Sequence, residues 1–244
     1  MINNKDNIEN FFKIVYELKE SIDTIKNNGE YLRNHHLTLN ISLLDFLSKS
    51  YNPEERSNRI RFCRLIKDMT SLDYLDKVSI PQLYYYLQKD SSIELNQIRR
   101  FVEIKYKEIP RSIPVDINMD IEIDTIKEMW PRGYKYNGEK VFLEMFQHIN
   151  ILWKERNNLI HEMRRRTLGG SFFEERERPY YVHFMGACGE NGFDSDEYFE
   201  LCYPERIYEI ILDECIINLK EYFVQRNRDP FLSFNSDQLI AVQL

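Results

Sequence analysis

Glycine, proline and cysteine are scarce in this chain, and their scarcity excludes several classes of protein. Eight glycines and eight prolines among 244 residues supply too few tight turns for an all-β fold. The four cysteines, Cys63, Cys188, Cys202 and Cys215, form no Cys-x-x-Cys pair. The sequence therefore predicts no metal site, no cofactor and a reducing, cytoplasmic setting.

Long apolar runs and an excess of positive charge are also missing. No stretch approaches the roughly 18 apolar residues that a membrane span needs, and the polar N-terminus MINNKDNIEN lacks the apolar core of a signal peptide. We therefore expect a soluble protein with no membrane partner. The formal net charge of -7 argues against a general polyanion binder, so any contact with RNA has to be local.

The chain is rich in aromatic residues and in helical periodicity. Sixteen Tyr, fifteen Phe and a hydrophobic content of 43% predict a folded core. Apolar residues three and four positions apart, together with capping signals, predict a mainly α fold. We expect one domain over 1–228 and a C-terminal tail over 229–244. Helices are predicted at 6–28, 39–50, 52–69, 80–89, 92–107, 141–166 and 204–225.

A few segments depart from the helical pattern. The sequence VDINMDIEID at 115–124 alternates apolar and mostly acidic residues, which predicts a half-exposed strand, and 179–185 with 198–203 predict a β-hairpin. The adjacent His35 and His36 have no further ligand pattern around them, so we expect a solvated loop there rather than a metal site. The apolar end of the tail, LIAVQL, predicts packing on the core or on a partner chain.

The predicted helix at 141–166 carries the residues with the most chemical content. Arg156 occupies a position in its apolar stripe where a hydrophobic residue is expected. At roughly 100° per residue, Asn157 and His161 lie about 40° apart on one polar face, whereas Arg156 lies about 140° from His161. A single straight helix cannot aim Arg156 and His161 at one point through short side chains. The site therefore needs a curled arginine, a second helix or a second subunit.

These residue types suit an RNA phosphodiester. An imidazole titrates near neutral pH and can take the 2'-hydroxyl proton, and a guanidinium offers a planar donor fork to phosphate oxygens. Asn157 could orient either group. Lys154, Arg164 and Arg165 add positive charge beside the motif, either to bind RNA or to complement the C-terminal end of the helix dipole.

The sequence RNNLIH at 156–161 resembles the signature of the HEPN superfamily, which is Arg, four to six residues and then His, with a polar residue after the Arg. The resemblance implies a helical bundle that dimerises, so that two motifs form a metal-independent endoribonuclease site with Arg156, Asn157 and His161 as its catalytic residues. It also implies a toxin or antiviral-defence role, RNA as substrate and a neutralising antitoxin or regulatory protein as a further partner.

Two other interpretations remain open. The chain could be a non-catalytic HEPN-like module that binds RNA, nucleotides or proteins. Alternatively, Arg156 could be a core arginine paired with a carboxylate, with His161 an ordinary surface residue, because a charge in an apolar position costs free energy unless it is paired.

Overall fold

Eight α-helices and seven short strands are present in the computed structural model, which describes residues 4–25, 30–162, 173–184 and 197–234. This confirms the predicted mainly α fold with small β elements, while the HEPN-like bundle stays a prediction. The helices are α1 (Lys5–Asp23), α2 (Glu30–Tyr51), α3 (Asn58–Met69), α4 (Ile80–Lys89), α5 (Asn96–Lys107), α6 (Ile123–Ile126), α7 (His148–Glu162) and α8 (Glu205–Arg226).

The strands form three small antiparallel sheets in the described part of the chain. They are β1 (Lys77–Val78), β2 (Val115–Asp116), β3 (Ile121–Glu122), β4 (Lys135–Tyr136), β5 (Glu139–Lys140), β6 (Tyr180–Phe184) and β7 (Tyr198–Cys202). β6 pairs with β7, which confirms the predicted hairpin, and β2 pairs with the other edge of β6. β1 pairs with β3. The β4–β5 hairpin turns at Asn137 and Gly138, whose positive φ angles of 50° and 85° are typical of an Asn-Gly turn.

Several helix predictions are confirmed, and for α4 the predicted capping residue is confirmed as well. α4 begins after Ser79, whose hydroxyl accepts a hydrogen bond from the Gln82 amide, as the Ser-Ile-Pro-Gln sequence predicts. α5 follows a short 3-10 turn at Ile93–Leu95. α8 begins directly after Pro204 and ends one residue beyond the predicted boundary.

The predicted long helix over 141–166 is wrong at its N-terminal end, because α7 begins only at His148. Residues Leu143–Phe146 form a 3-10 turn instead. The carbonyl of Phe146 accepts a hydrogen bond from the Ser79 amide at 2.9 Å, and the Gln147 side chain donates to the Asp76 carbonyl at 2.8 Å. These contacts hold the segment outside a helical conformation.

Three further predictions need correction. α3 begins at Asn58, after its cap Ser57, rather than at the predicted residue 52, and 52–55 precede it as a non-helical segment. The alternating segment at 115–124 is divided by a 3-10 turn into β2 and β3. His35 and His36 lie inside α2 rather than in a loop, and His36 is fully buried.

The chain divides into two compact units. The first unit comprises Met1–Leu72, Glu155–Arg166 and Tyr208–Leu244, and the second unit comprises Asp73–Lys154 and Thr167–Ile207. α7 and α8 contribute residues to both. The prediction of one domain over 1–228 stays a prediction. Within the described residues, no helix combines the length and the apolar character that crossing a membrane requires.

The core of the first unit contains a cluster of phenylalanines. The ring of Phe11 stacks on Phe46 at 5.3 Å and meets Phe231 edge-on at 5.3 Å, while Phe234 stacks on Phe46 at 4.9 Å. Because Phe231 and Phe234 belong to the predicted tail, its beginning packs on this core. Residues 235–244, including the apolar end, lie outside the described residues.

The second unit is built around a buried polar network centred on His148. Its Nε2 lies 2.8 Å from Oδ2 of Asp120, and its Nδ1 lies 2.8 Å from the Tyr203 hydroxyl. Asp120 also accepts hydrogen bonds from the Ile80 amide at 2.9 Å and from the Tyr181 hydroxyl at 2.7 Å. Burial, followed by the negative charge of Asp120, raises the pKa of Tyr181 well above its usual value. Tyr181 therefore stays a protonated donor, and the network stabilises the core.

Candidate site around Arg156

The helix α7 is continuous from His148 to Glu162 and carries all three motif residues. Asn157 and His161 therefore lie one turn apart on the same helical face. Arg156 is buried, Asn157 is half-buried and His161 is exposed to solvent. The side chains of Arg156 and His161 thus occupy different environments.

Arg156 forms an ion pair with Asp45 of α2, within the first unit. Its Nε donates to Oδ2 of Asp45 at 3.0 Å, and its Nη2 donates to the same oxygen. The side chain of Arg156 is 10% exposed and that of Asp45 is 26% exposed. A guanidinium at this depth needs a compensating charge, and Asp45 supplies it.

Asn157 provides a second anchor for the guanidinium. Nη1 of Arg156 donates to Oδ1 of Asn157 at 3.0 Å. The planar guanidinium therefore donates hydrogen bonds to Asp45 from one edge and to Asn157 from another. This contact joins two adjacent motif residues whose side chains lie about 100° apart around the helix axis.

His161 remains apart from this arrangement. The structure places it in the last turn of the described helix, with its side chain exposed to solvent and making no hydrogen bond to another described residue. An exposed imidazole is accessible to a ligand or to a second chain.

A pocket of about 240 Å³ opens beside Arg156. Its walls come from α2, α7 and the first turn of α3, all within the first unit. The lining residues are Asp45, Phe46, Ser48, Lys49, Asn58, Arg61 and Arg156. The arginine of the motif therefore faces a cavity that carries two further cations.

Lys154 is the one predicted RNA-binding residue that the structure describes, and it does not line this pocket. The ammonium of Lys154, in the second unit, lies 3.4 Å from the Met145 carbonyl, to which it donates a hydrogen bond. Arg164 and Arg165 lie outside the described residues. Their predicted role in RNA binding stays a prediction.

The sequence interpretation missed Asp45, Lys49 and Arg61. One signal for Asp45 was present, because it is the single acid between Leu39 and Tyr51, in a segment that is otherwise mostly apolar. An isolated acid in one apolar helix face and an isolated arginine in another are candidates for an ion pair. Nothing in the sequence indicates that Lys49 and Arg61 meet beside that pair, since the basic residues of 56–64 spread around several faces.

His36 is a second histidine whose surroundings matter. Its ring nitrogens lie 3.4 Å and 3.5 Å from the Asn40 side-chain amide, and a ligand atom of His36 lies within 4.8 Å of a carboxylate oxygen of Glu209. All three residues belong to the first unit. Because histidine and glutamate are metal-ligating residue types, the expectation that the protein needs no metal stays a prediction.

Comparison with family models, with curated proteins and with solved structures finds no match to this chain.

Proposed function

We propose that the protein is a metal-independent endoribonuclease of HEPN type, acting as a toxin or in antiviral defence, with its site completed by a second copy of the chain. One observation carries the proposal. Asn157 holds the guanidinium of Arg156 at 3.0 Å beside a cationic pocket, while the exposed His161 lies one turn along the same face as Asn157. An anion-stabilising group and a proton acceptor are thus carried by one helix.

The chemistry that these groups support is attack by the RNA's own 2'-hydroxyl. Neutral His161 takes the 2'-hydroxyl proton as the 2'-oxygen bonds to phosphorus, and Arg156 stabilises the negative charge that develops on the phosphate oxygens. The bond from phosphorus to the 5'-oxygen breaks, and that oxygen takes up a proton. The products are a 2',3'-cyclic phosphate and a 5'-hydroxyl, and DNA is not cut.

The geometry of the helix supports a second copy as the contributor that completes the site. Arg156 and His161 are separated by about 140° around the helix axis, and Arg156 is turned toward Asp45. We expect two copies of α7 to approach each other, so that His161 of one chain serves the phosphate held near Arg156 of the other. Light scattering at micromolar concentration should report a dimer, and a monomer that still cuts RNA would contradict the composite site.

The test of catalysis is cleavage of a defined RNA oligonucleotide in excess EDTA. We expect cutting by the natural chain, none by the His161→Ala variant, and unchanged cutting by the His35→Ala variant, which removes another exposed histidine from α2. A 2'-O-methyl group at the cleaved position should block the reaction. Cleavage of the methylated RNA at the unmodified rate would refute the assigned nucleophile.

The alternative is a non-catalytic module that binds RNA, nucleotides or another protein. The observation that favours it is the ion pair itself, because a carboxylate partner compensates the charge of a buried arginine without any catalytic role. Under this alternative the protein itself cuts no RNA, so any residual cleavage in the preparation is the same for the natural chain and for His161→Ala. Arg156→Ala then acts only by lowering the stability of the fold. Loss of cleavage in His161→Ala with unchanged thermal stability would exclude it.

A further inference from the structure

Two cations in the pocket beside Arg156 lack a carboxylate partner among the described residues. These are Lys49 of α2 and Arg61 of α3. Asp45 is the single acid among the described residues that line the pocket, and its carboxylate is engaged by Arg156. Three cations therefore face one anion, which leaves a formal charge of about +2 in a chain whose net charge is -7.

Arg61 is held in place by groups that do not neutralise it. Its Nη1 donates to the Glu55 carbonyl at 3.0 Å, and its Nη2 donates to Oδ1 of Asn58. The Nε atom is buried and has no hydrogen-bond partner among the described residues. A buried, unsatisfied donor on a charged group costs free energy, and a bound anion nearby would offset part of that cost.

Lys49 is positioned by an aromatic ring. Its ammonium lies 5.2 Å from the centroid of Phe234, and Phe234 in turn stacks on Phe46, which also lines the pocket. A cation held over an aromatic face keeps its charge and its three donors. The residues Asn58 and Arg61 belong to the first turn of the twelve-residue α3, where the helix dipole adds further positive potential.

The size of the pocket is compatible with a small anion. Its volume of about 240 Å³ lies below the roughly 300–1,000 Å³ of pockets that hold drug-sized ligands. A single phosphate group, whose oxygens accept from guanidinium and ammonium donors, fits both this size and this charge.

We propose that the pocket formed by Lys49, Asn58, Arg61 and Arg156 binds a backbone phosphate of single-stranded RNA. The choice of RNA rests on the proposed function, whereas the phosphate itself follows from the size and charge of the pocket. Arg61 and Lys49 act as binding residues that fix the strand, and this gives an acidic protein the local contact that RNA binding requires.

The test is fluorescence anisotropy with a labelled twelve-nucleotide 2'-O-methyl RNA. The methyl groups prevent attack by the 2'-oxygen, so binding is measured on the natural chain without cleavage. A methylphosphonate oligonucleotide of the same sequence has the same bases and an uncharged backbone, and inorganic phosphate serves as a competitor. The methylphosphonate separates recognition of the backbone phosphate from base stacking. Competition by inorganic phosphate separates it from a preference for the free anion.

The informative variants are Lys49→Met, which keeps the apolar stem, and Arg61→Ala. Each should weaken binding about tenfold, because each removes a charge-assisted contact, and each should lower the slope of log Kd against log salt by about 0.7. The matched control is Arg64→Ala. Arg64 lies on the same helix, is 62% exposed on its side chain, pairs with Asp68 at 3.4 Å and does not line this pocket.

The outcomes divide cleanly. Weaker binding by both pocket variants but not by Arg64→Ala, with no binding of the methylphosphonate, supports the proposal even if the protein cuts no RNA. Equal binding by all variants, an equal loss in Arg64→Ala, or no binding by the natural chain overturns it, whether or not RNA is cleaved. Circular dichroism checks the folding of each variant, and the stem-preserving Lys49→Met decides the matter if Arg61→Ala unfolds.

Discussion

Asp45 and Arg156 lie 111 positions apart in the sequence and form an ion pair. Substitutions at the two positions should therefore have coupled effects on the free energy of unfolding. The perturbation is a double-mutant cycle with Asp45→Ala, Arg156→Ala and the double variant. Either single change leaves the remaining charge without its partner. The double change removes both charges, so it should cost less than the sum of the single changes.

The expected magnitude follows from the depth of the pair. Breaking a fully buried pair costs about 3–5 kcal/mol, whereas an exposed pair contributes about 0–1 kcal/mol. The side chains here are 10% and 26% exposed, which places the pair between these limits but nearer the buried one. We expect each single variant to lose about 2–3 kcal/mol and the coupling energy to be about 1–2 kcal/mol.

The assay is urea unfolding followed by circular dichroism at 222 nm, repeated at two salt concentrations. The control cycle uses Asp73 and Arg178, which also form an arginine–aspartate pair, at 2.9 Å, but with side chains 61% and 43% exposed. Its coupling should stay below about 1 kcal/mol and fall with salt. A coupling energy for Asp45 and Arg156 no larger than that of the control would refute the claim that Asp45 compensates the buried guanidinium.

Three further changes test other parts of the fold. Asp120→Asn should lower the free energy of unfolding by about 2–4 kcal/mol, because it removes the charge that faces buried His148 in the second unit. Urea unfolding measures this loss. Gly138→Ala should cost about 1–2 kcal/mol in the same assay, because a φ of 85° is unfavourable for a residue with a Cβ, although no heavy atom lies within 4 Å of the added carbon. Burial raises the pKa of Cys63 to about 11, so only about one thiol in a thousand is ionised at pH 8. Alkylation of Cys63, measured by peptide mass spectrometry, should therefore be slow at pH 8 and should rise steeply between pH 8 and 11.

Each of these expectations has a result that contradicts it. Unchanged stability of Asp120→Asn would mean that the His148 network is not a source of core stability. Unchanged stability of Gly138→Ala would mean that the turn relaxes without strain. Alkylation of Cys63 at pH 8 as fast as that of free glutathione would show that the thiol is not protected by burial.

Much of the secondary structure follows from local signals in the sequence. Ser79 and Pro81 begin α4, Pro204 precedes α8, and a sequence rich in Gly, Asn, Asp and Ser separates the aromatic segments of β6 and β7. These features depend on neighbours within a few positions, because capping, proline geometry and turn composition are local effects. The sequence also indicated that Arg156 lies in an apolar stripe and therefore needs a partner.

Only the tertiary structure decided where α7 begins and what surrounds Arg156. Residues 141–147 have a helical apolar pattern, yet hydrogen bonds from Ser79 and to Asp76 hold Phe146 and Gln147 in another conformation. The partner of Arg156 is Asp45, on a helix more than a hundred positions away, and the pocket exists because α2 and the first turn of α3 meet beside α7. Such contacts depend on which helical faces pack together, and the local periodicity that predicts each helix carries no information about that choice.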